Sequence, residues 1–377
     1  MTEFISMTAF NIFRRCWGRG IIATLAFLLP LGVVSCGSRP THLAYLGVPT
    51  LNGIAAFRID NNTGKFTPIV GSPFLAGNSP GPVVVAPSNK FLYAANQTDN
   101  TISLFKIDSL VGTLTEVTPR TNTGLSPSAM VLNAAGSFLF VANTISSNIS
   151  VFSVNSSSGA LTQVAGSPFS VPANPVSMAI TPSGTYLYVV APNLPAVFAY
   201  SISSSGALMQ VPGSFPVGAG ANGIAIEPAG KFVHVANSTD NTLSILSINS
   251  ATGVLTTISG SPFATGTTPV SVTIDPSSTY LYVANEGSNN ITAYSVDTNG
   301  VPTLVTTQPF SGATQPIFIT SDPDGKYVYA ISQSTKTVVT FDINTSTSNG
   351  GTLGTLTFTQ SASVGQFPAT SLALTTK

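Results

Sequence analysis

Cysteine is almost missing from this chain. The two that exist, Cys16 and Cys36, both lie near the start of the 377 residues. Nothing after Cys36 can therefore rest on a disulfide framework or use a thiol nucleophile. Histidine is equally scarce, with only His42 and His234. Nucleophilic catalysis of the Ser–His or Cys–His kind needs a base beside the nucleophile, and one isolated imidazole per half-chain is poor material for it. No His pair and no Cys/His cluster offers zinc a tetrahedral set. The expectation is a protein with no metal and no cofactor.

Charge is the third deficit. Asp, Glu, Lys and Arg make up 7% of residues, against roughly a quarter in an average soluble protein. Such a chain is either embedded in a membrane or folded with a Ser/Thr/Asn/Gly surface. No apolar run after residue 35 approaches the ~20 residues needed to span a bilayer, so the second reading holds. No cluster of Lys and Arg marks an electrostatic footprint for nucleic acid. Helical periodicity is missing as well.

The N-terminus is different in kind. Arg14, Arg15 and Arg19 precede the apolar run Ile21 to Val34, which ends in Val33-Val34-Ser35-Cys36-Gly37. A positive flank, a short apolar core and small residues before a cut are the marks of a secretory signal. A Cys directly after Val-Val-Ser resembles a bacterial lipobox, in which that Cys is acylated and becomes the new N-terminus. The alternative is an ordinary cleaved signal with an incidental Cys. On the first reading residues 1–35 are a lipoprotein signal, residues 36–41 a tether and Cys36 the lipidation site. Cleavage would leave 10 basic and 12 acidic residues, a net charge of −2.

The rest repeats itself. Pro269 to Val296 holds three strand-like runs, Val270–Ile274, Tyr280–Ala284 and Ile291–Val296, separated by Asp275-Pro276-Ser277-Ser278 and Glu286-Gly287-Ser288-Asn289-Asn290. Both separators are rich in turn formers. Counted on the residue that closes the central aromatic pair, the copies fall at Tyr45, Tyr93, Phe140, Tyr188, His234, Tyr282 and Tyr329, with spacings of 48, 47, 48, 46, 48 and 47 residues. A fixed period of this length identifies a repeat architecture. Seven copies of three or four short strands predict an all-β fold, a seven-bladed β-propeller over residues 42–377. The first copy opens at Thr41-His42-Leu43-Ala44-Tyr45, already in its second strand. The last segment, Phe367 to Leu374, reads as one innermost strand with nothing after it. Joined in one blade, these ends close the ring without a free edge.

Three recurring phrases have structural readings. Gly-Ser-Pro-Phe, at Gly71–Phe74, Gly166–Phe169 and Gly260–Phe263, marks exits from outermost strands, because Pro cannot donate to a ladder; its Phe plugs the gap between blades. Ala-Asn, at Ala95-Asn96, Ala142-Asn143, Ala236-Asn237 and Ala284-Asn285, suits a hairpin turn, with glycan binding as a lesser alternative. Asp322-Pro323-Asp324-Gly325 resembles the opening of a calcium loop but lacks the spaced oxygen ligands and closing Glu, and aligns with the turn Asp275-Pro276-Ser277-Ser278. Pro192 and Pro195 should stiffen or widen one hairpin. Thr345 to Thr355 reads as a loop insertion. His234, which stands where other copies carry Tyr or Phe, reads as a packed core residue.

The phrases Leu139-Phe140-Val141-Ala142-Asn143, Leu281-Tyr282-Val283-Ala284-Asn285 and Pro323-Asp324-Gly325-Lys326-Tyr327-Val328-Tyr329 resemble the YVTN-type repeat of the lactonase-family seven-bladed propellers. That family includes bacterial 6-phosphogluconolactonases of propeller type and carboxymuconate cyclases. The resemblance covers about residues 41–377 and specifies the fold more than an activity. It implies a Gly-Pro-Arg-His phrase in an innermost strand and a Tyr-Val-x-Asn-Glu phrase in the next. Tyr282-Val283-Ala284-Asn285-Glu286 matches the second, which makes Glu286 the weak catalytic candidate. Thr268-Pro269-Val270-Ser271 departs from the first, with Val and Ser in place of Arg and His. Opening a lactone needs a stabilised oxyanion and an activated water, and Glu286 alone does not supply both unless His234 or Arg120 approaches across blades.

Two functions follow. The first is a non-catalytic cell-envelope lipoprotein, monomeric, that binds or scaffolds an envelope protein or a glycan and touches the membrane only through its lipid. The second is a lactone hydrolase with Glu286 at the channel mouth.

Overall fold

The computed structural model describes residues 41–305, 309–346, 352–365 and 369–376. The leader 1–35, Cys36 and residues 36–40 of the tether lie outside the described residues, as do positions 347–351 of the Thr345–Thr355 insertion. Seven antiparallel sheets follow one another around a ring. In blade six the order is Pro269–Ile274, Tyr280–Asn285, Asn290–Val296 and Pro302–Leu304, from the innermost strand outwards. Blade two repeats it with Pro80–Val85, Phe91–Asn96, Thr101–Ile107 and Leu114–Asn122. The innermost strands begin at Pro in four blades because a Pro there gives up no hydrogen bond that the ladder needs; in blade four Pro175 stands two residues before the strand Ser177–Ile180.

The ring closes as the ends of the sequence predict. Ser371–Leu374 is the innermost strand of blade one, and it pairs with Thr41–Val48 through Ala44↔Leu374, Tyr45↔Ala373, Leu46↔Leu372 and Gly47↔Ser371. Phe367 and Pro368, the first residues of the predicted segment, lie outside the described residues.

The core lies between blades. One cluster joins Tyr45 and Ile54 of blade one to Leu92 and Phe105 of blade two; another joins Tyr282 and Ala284 of blade six to Val328 and Phe341 of blade seven. Side chains of each strand alternate between the two faces of their sheet, so both faces of every blade are covered and the second strands read as unbroken apolar runs. The aromatic that sets the repeat has a specific partner. Tyr45, Tyr93, Tyr188 and Tyr282 donate their hydroxyls to the carbonyls of Gly112, Gly159, Gly253 and Gly354. Each glycine sits in the outer hairpin of the following blade with positive φ. A Cβ on Gly159 would stand 2.7 Å from the ring of Phe91, so the glycine is needed for both its backbone and its missing side chain.

Two local expectations change. The Gly-Ser-Pro-Phe phrase does not simply leave the sheet: Ile54 pairs again with Phe74, Ile149 with Phe169 and Leu243 with Phe263. The serine explains the return, since Ser72, Ser167 and Ser261 accept the main-chain N–H of Ala56, Val151 and Ile245. The hairpin with Pro192 and Pro195 is shorter, not wider. Ala191 pairs with Leu194 there, whereas Asn285 pairs with Asn290 in blade six.

Candidate functional site

The innermost strands of all seven blades surround a central channel with a cavity of about 690 Å³. Its mouth is the end where those strands begin, around Gly81, Ser128, Asn222, Val270 and Thr370; the far end is ringed by Pro87, Leu132, Asn133 and Ala134. None of the lining residues is Asp, Glu, Lys, Arg or His. An innermost strand exposes one unpaired edge to the channel, and hydroxyl side chains close many of these gaps. Ser371 accepts the N–H of Val83 at 3.1 Å and donates to the carbonyl of Gly81 at 2.8 Å, tying blade one to blade two. Ser128 donates to the carbonyl of Pro175 at 2.9 Å, and Ser271 accepts the N–H of Ile319 at 3.2 Å.

Glu286 follows Asn285 at the end of the second strand of blade six. It is half-buried, and its N–H donates to the carbonyl of Thr268 at 2.9 Å. In blade two the same place belongs to Gln97, whose N–H donates to Ser79 and whose side chain lines the channel. Glu286 holds the equivalent place in blade six but is not itself among the residues that line the cavity. Neither His234 nor Arg120 reaches it as a partner. His234 is 1% exposed in the second strand of blade five, and burial pushes its pKa down to about 3. Arg120 lies on the outermost strand of blade two, where Glu116 accepts from its Nε at 2.7 Å and Asp99 stands 3.9 Å away. Both serve the scaffold.

The Ala-Asn phrase is structural, and more deeply so than a turn. Asn96 is wholly buried; it accepts the N–H of Gly77 at 3.1 Å and donates to Thr101 and Ser103 at 3.0 Å. Asn143 and Asn237 make the same pair of bonds to the third strand. These amides are spent inside the blade and cannot reach a glycan.

One cluster escaped the sequence. His42, Asp322 and Asp324 bring a nitrogen or oxygen ligand atom each to within 4.8 Å of one another, the one such group among the described residues. The Nδ1 of His42 lies 2.9 Å from the carbonyl of Thr375, so Nδ1 carries the proton; Nε2 lies 3.3 Å from Asp324. Desolvation pushes the Asp322 carboxyl up, against N–H donation from Lys326 and Tyr327. Three donors fall short of a closed zinc set. What the cluster does is join the second strand of blade one, its C-terminal strand and the first turn of blade seven. Ring closure brings His42 and Asp324 together from opposite ends of the chain, and no local pattern announces that.

Compared with known proteins, residues 41–178 and 173–365 match the family model for the lactonase, seven-bladed β-propeller. No curated protein matches the chain by sequence. Among solved structures, a provisionally named 6-phosphogluconolactonase of Bacteroides fragilis superposes with a TM-score of 0.77 at 22% identity, over 91% of this chain and 99% of that one. A provisionally named 6-phosphogluconolactonase of Bacteroides uniformis gives 0.76 at 20% identity, over 89% and 99%. The periplasmic gluconolactonase of Pseudomonas aeruginosa gives 0.74 at 19% identity, again over 89% and 99%. At these identities the likeness is one of fold.

Proposed function

The chain belongs to the lactonase family of seven-bladed β-propellers, and from that premise we propose that it hydrolyses an unphosphorylated lactone at the mouth of its central channel. The observation that carries the reading is the channel itself: a cavity of about 690 Å³ through all seven innermost strands, with Gln97 on its wall at the place that Glu286 holds in blade six. Family membership supports this hydrolase reading better than the binding-or-scaffold role that the sequence put first.

The chemistry assigns Glu286 the part of general base. Its carboxylate takes a proton from water as the water oxygen adds to the lactone carbonyl, and the amides of Asn222 and Gln97, both on the channel wall, are donors for the oxyanion. Collapse breaks the ring C–O bond, the Glu286 proton passes to the departing alkoxide, and a hydroxy acid leaves. A phosphorylated lactone would bring a dianion to a wall without a single cationic side chain, at a desolvation cost nothing repays. Hence the neutral substrate.

One observation favours a second reading, binding without turnover: Val270 and Ser271 occupy the positions of the family's Arg and His. Export and anchoring belong to the proposal too. Residues 1–35 direct the chain out of the cytoplasm, Cys36 is acylated, and the protein stays on the cell envelope as a monomer; no helix of the described residues is long and apolar enough to cross a membrane. Loss of labelled-palmitate incorporation in a Cys36→Ser variant checks the anchor.

The test is hydrolysis by the full chain with Cys36→Ser, which keeps acyl chains out of the assay, beside the same chain carrying Glu286→Gln. Turnover of neutral lactones that drops at least a hundredfold in the Gln variant supports the base. Turnover at the uncatalysed rate, with ligand still bound, hands the site to the second reading.

A further inference from the structure

We infer that the lactone taken by this channel carries a hydrocarbon substituent and not a polyol, with the ring at the mouth and the substituent running down the bore. The inference rests on the lactone reading for the head group and specifies what is attached to it.

The first ground is what the channel's hydroxyls already do. Ser371 is committed on both sides, to the N–H of Val83 and the carbonyl of Gly81. Thr370 donates to the same carbonyl of Gly81 at 3.2 Å, and Ser128 donates to Pro175. Ser271 accepts from Ile319, and Thr273 accepts from the N–H of Ser321 at 3.2 Å. A hydroxyl has one proton to give, and in Ser371, Thr370 and Ser128 that proton is used. These side chains stitch neighbouring blades and leave little for the hydroxyls of a sugar. A buried hydroxyl without a partner lowers affinity by roughly tenfold or more.

The second ground is what remains. Val84, Val131, Leu132, Ile180, Ile317 and Phe318 line the cavity from four innermost strands and keep part of their surface uncovered. They come from blades two, three, four and seven, so the apolar lining is spread around the bore. The bore carries no charged side chain to hold water or an ionic group in place. Each methylene that leaves water for such a wall strengthens binding roughly fourfold. The polar amides, Gln97 and Asn222, stand at the mouth, where the ring's carbonyl has to be. Two amides at the rim and an aliphatic wall that runs from Ile317 at the mouth to Leu132 at the far end make an amphipathic site, and its complement is an amphipathic ligand.

The experiment uses the full chain with Cys36→Ser and Glu286→Gln, so that binding is measured without turnover. The ligands are γ-lactones with alkyl substituents of increasing length and δ-gluconolactone, each competing against an environment-sensitive apolar fluorophore. The expected result is an affinity that climbs roughly fourfold per methylene until the bore is filled, with δ-gluconolactone at least tenfold weaker than the hexyl lactone. A flat series, or δ-gluconolactone binding as tightly as the hexyl lactone, overturns the inference. Turnover by the chain that retains Glu286 separates the two proposals. A steep binding series without hydrolysis removes the hydrolase reading and keeps the apolar bore; hydrolysis of δ-gluconolactone with a flat series does the reverse.

Discussion

The hydroxyl of Tyr93 in blade two donates to the carbonyl of Gly159 in blade three at 2.7 Å. The same bond joins Tyr45 to Gly112 and Tyr188 to Gly253, both at 3.0 Å. The aromatic that sets the repeat's period is thus an inter-blade latch, and burial pushes each of these phenols well above its ordinary pKa. Tyr93→Phe should cost about 1 kcal/mol, since it removes a buried bond and keeps the ring. Phe140, which holds the equivalent place in blade three, shows that the fold tolerates the loss. Urea denaturation checks it, and a change below about 0.3 kcal/mol would mean the latch adds nothing.

His234 is a second copy in which the latch is unmade. Neither ring nitrogen has a hydrogen-bond partner among the described residues. Its folded pKa is held down to about 3 by desolvation, below the ordinary 6.5. A folded state that refuses a proton loses stability as pH falls below the unfolded value, by about 1.4 kcal/mol per pH unit until the folded pKa is reached. His234→Tyr removes this penalty and places a hydroxyl where Gly300 repeats the pattern of Gly253. The variant should be the more stable protein at pH 7.5, and its advantage should widen by about 2 kcal/mol at pH 5. Chemical denaturation at the two pH values measures the difference; a constant gap would sink the burial argument.

The fold was legible because each blade is encoded locally. Turn formers at fixed offsets, the aromatic pair and the period of 46 to 48 residues define strands, hairpins and count together. Closure was legible for the same reason, as a missing strand at one end and a spare strand at the other. What could not be read depends on groups that meet across blades. Nothing near Asp324 says that His42 will face it, and nothing in Ala-Asn distinguishes a turn former from an amide buried between strands. The channel is the extreme case. Its lining takes a few residues from every innermost strand, so its lack of charge becomes a property of a site only once the ring is assembled.

Asn96 tests the buried amide. Its three bonds, from Gly77 and to Thr101 and Ser103, link the second and third strands of blade two to the segment that enters its first. Asn96→Ala leaves the N–H of Gly77 buried without its acceptor and opens a small void, an expected loss of about 2–3 kcal/mol. Glycan binding through this amide would predict the opposite pattern, unchanged stability with lost retention on a polysaccharide column.

Ring closure gives the most demanding test, because it concentrates several contacts in a few residues. Removing residues 366–377 takes away the strand Ser371–Leu374 and with it four residue pairs to Thr41–Val48. It takes the Ser371 bridge to blade two, and the Thr375 carbonyl that holds Nδ1 of His42 at 2.9 Å. Blade one then presents an unpaired apolar edge, which is a template for another chain. The truncated protein should lose its single cooperative transition and run as dimers and larger species in light scattering. A synthetic peptide of residues 366–377 should restore the size of the intact chain and the sharp transition, since it supplies the strand in trans. The charge cluster is separable from the strand. His42→Asn in the full chain should weaken the closure by about 1–3 kcal/mol while the protein keeps the size of the unaltered chain. If the truncated chain keeps the size of the whole and unfolds as sharply, the ring is held by its inter-blade core alone and the terminal strand is dispensable.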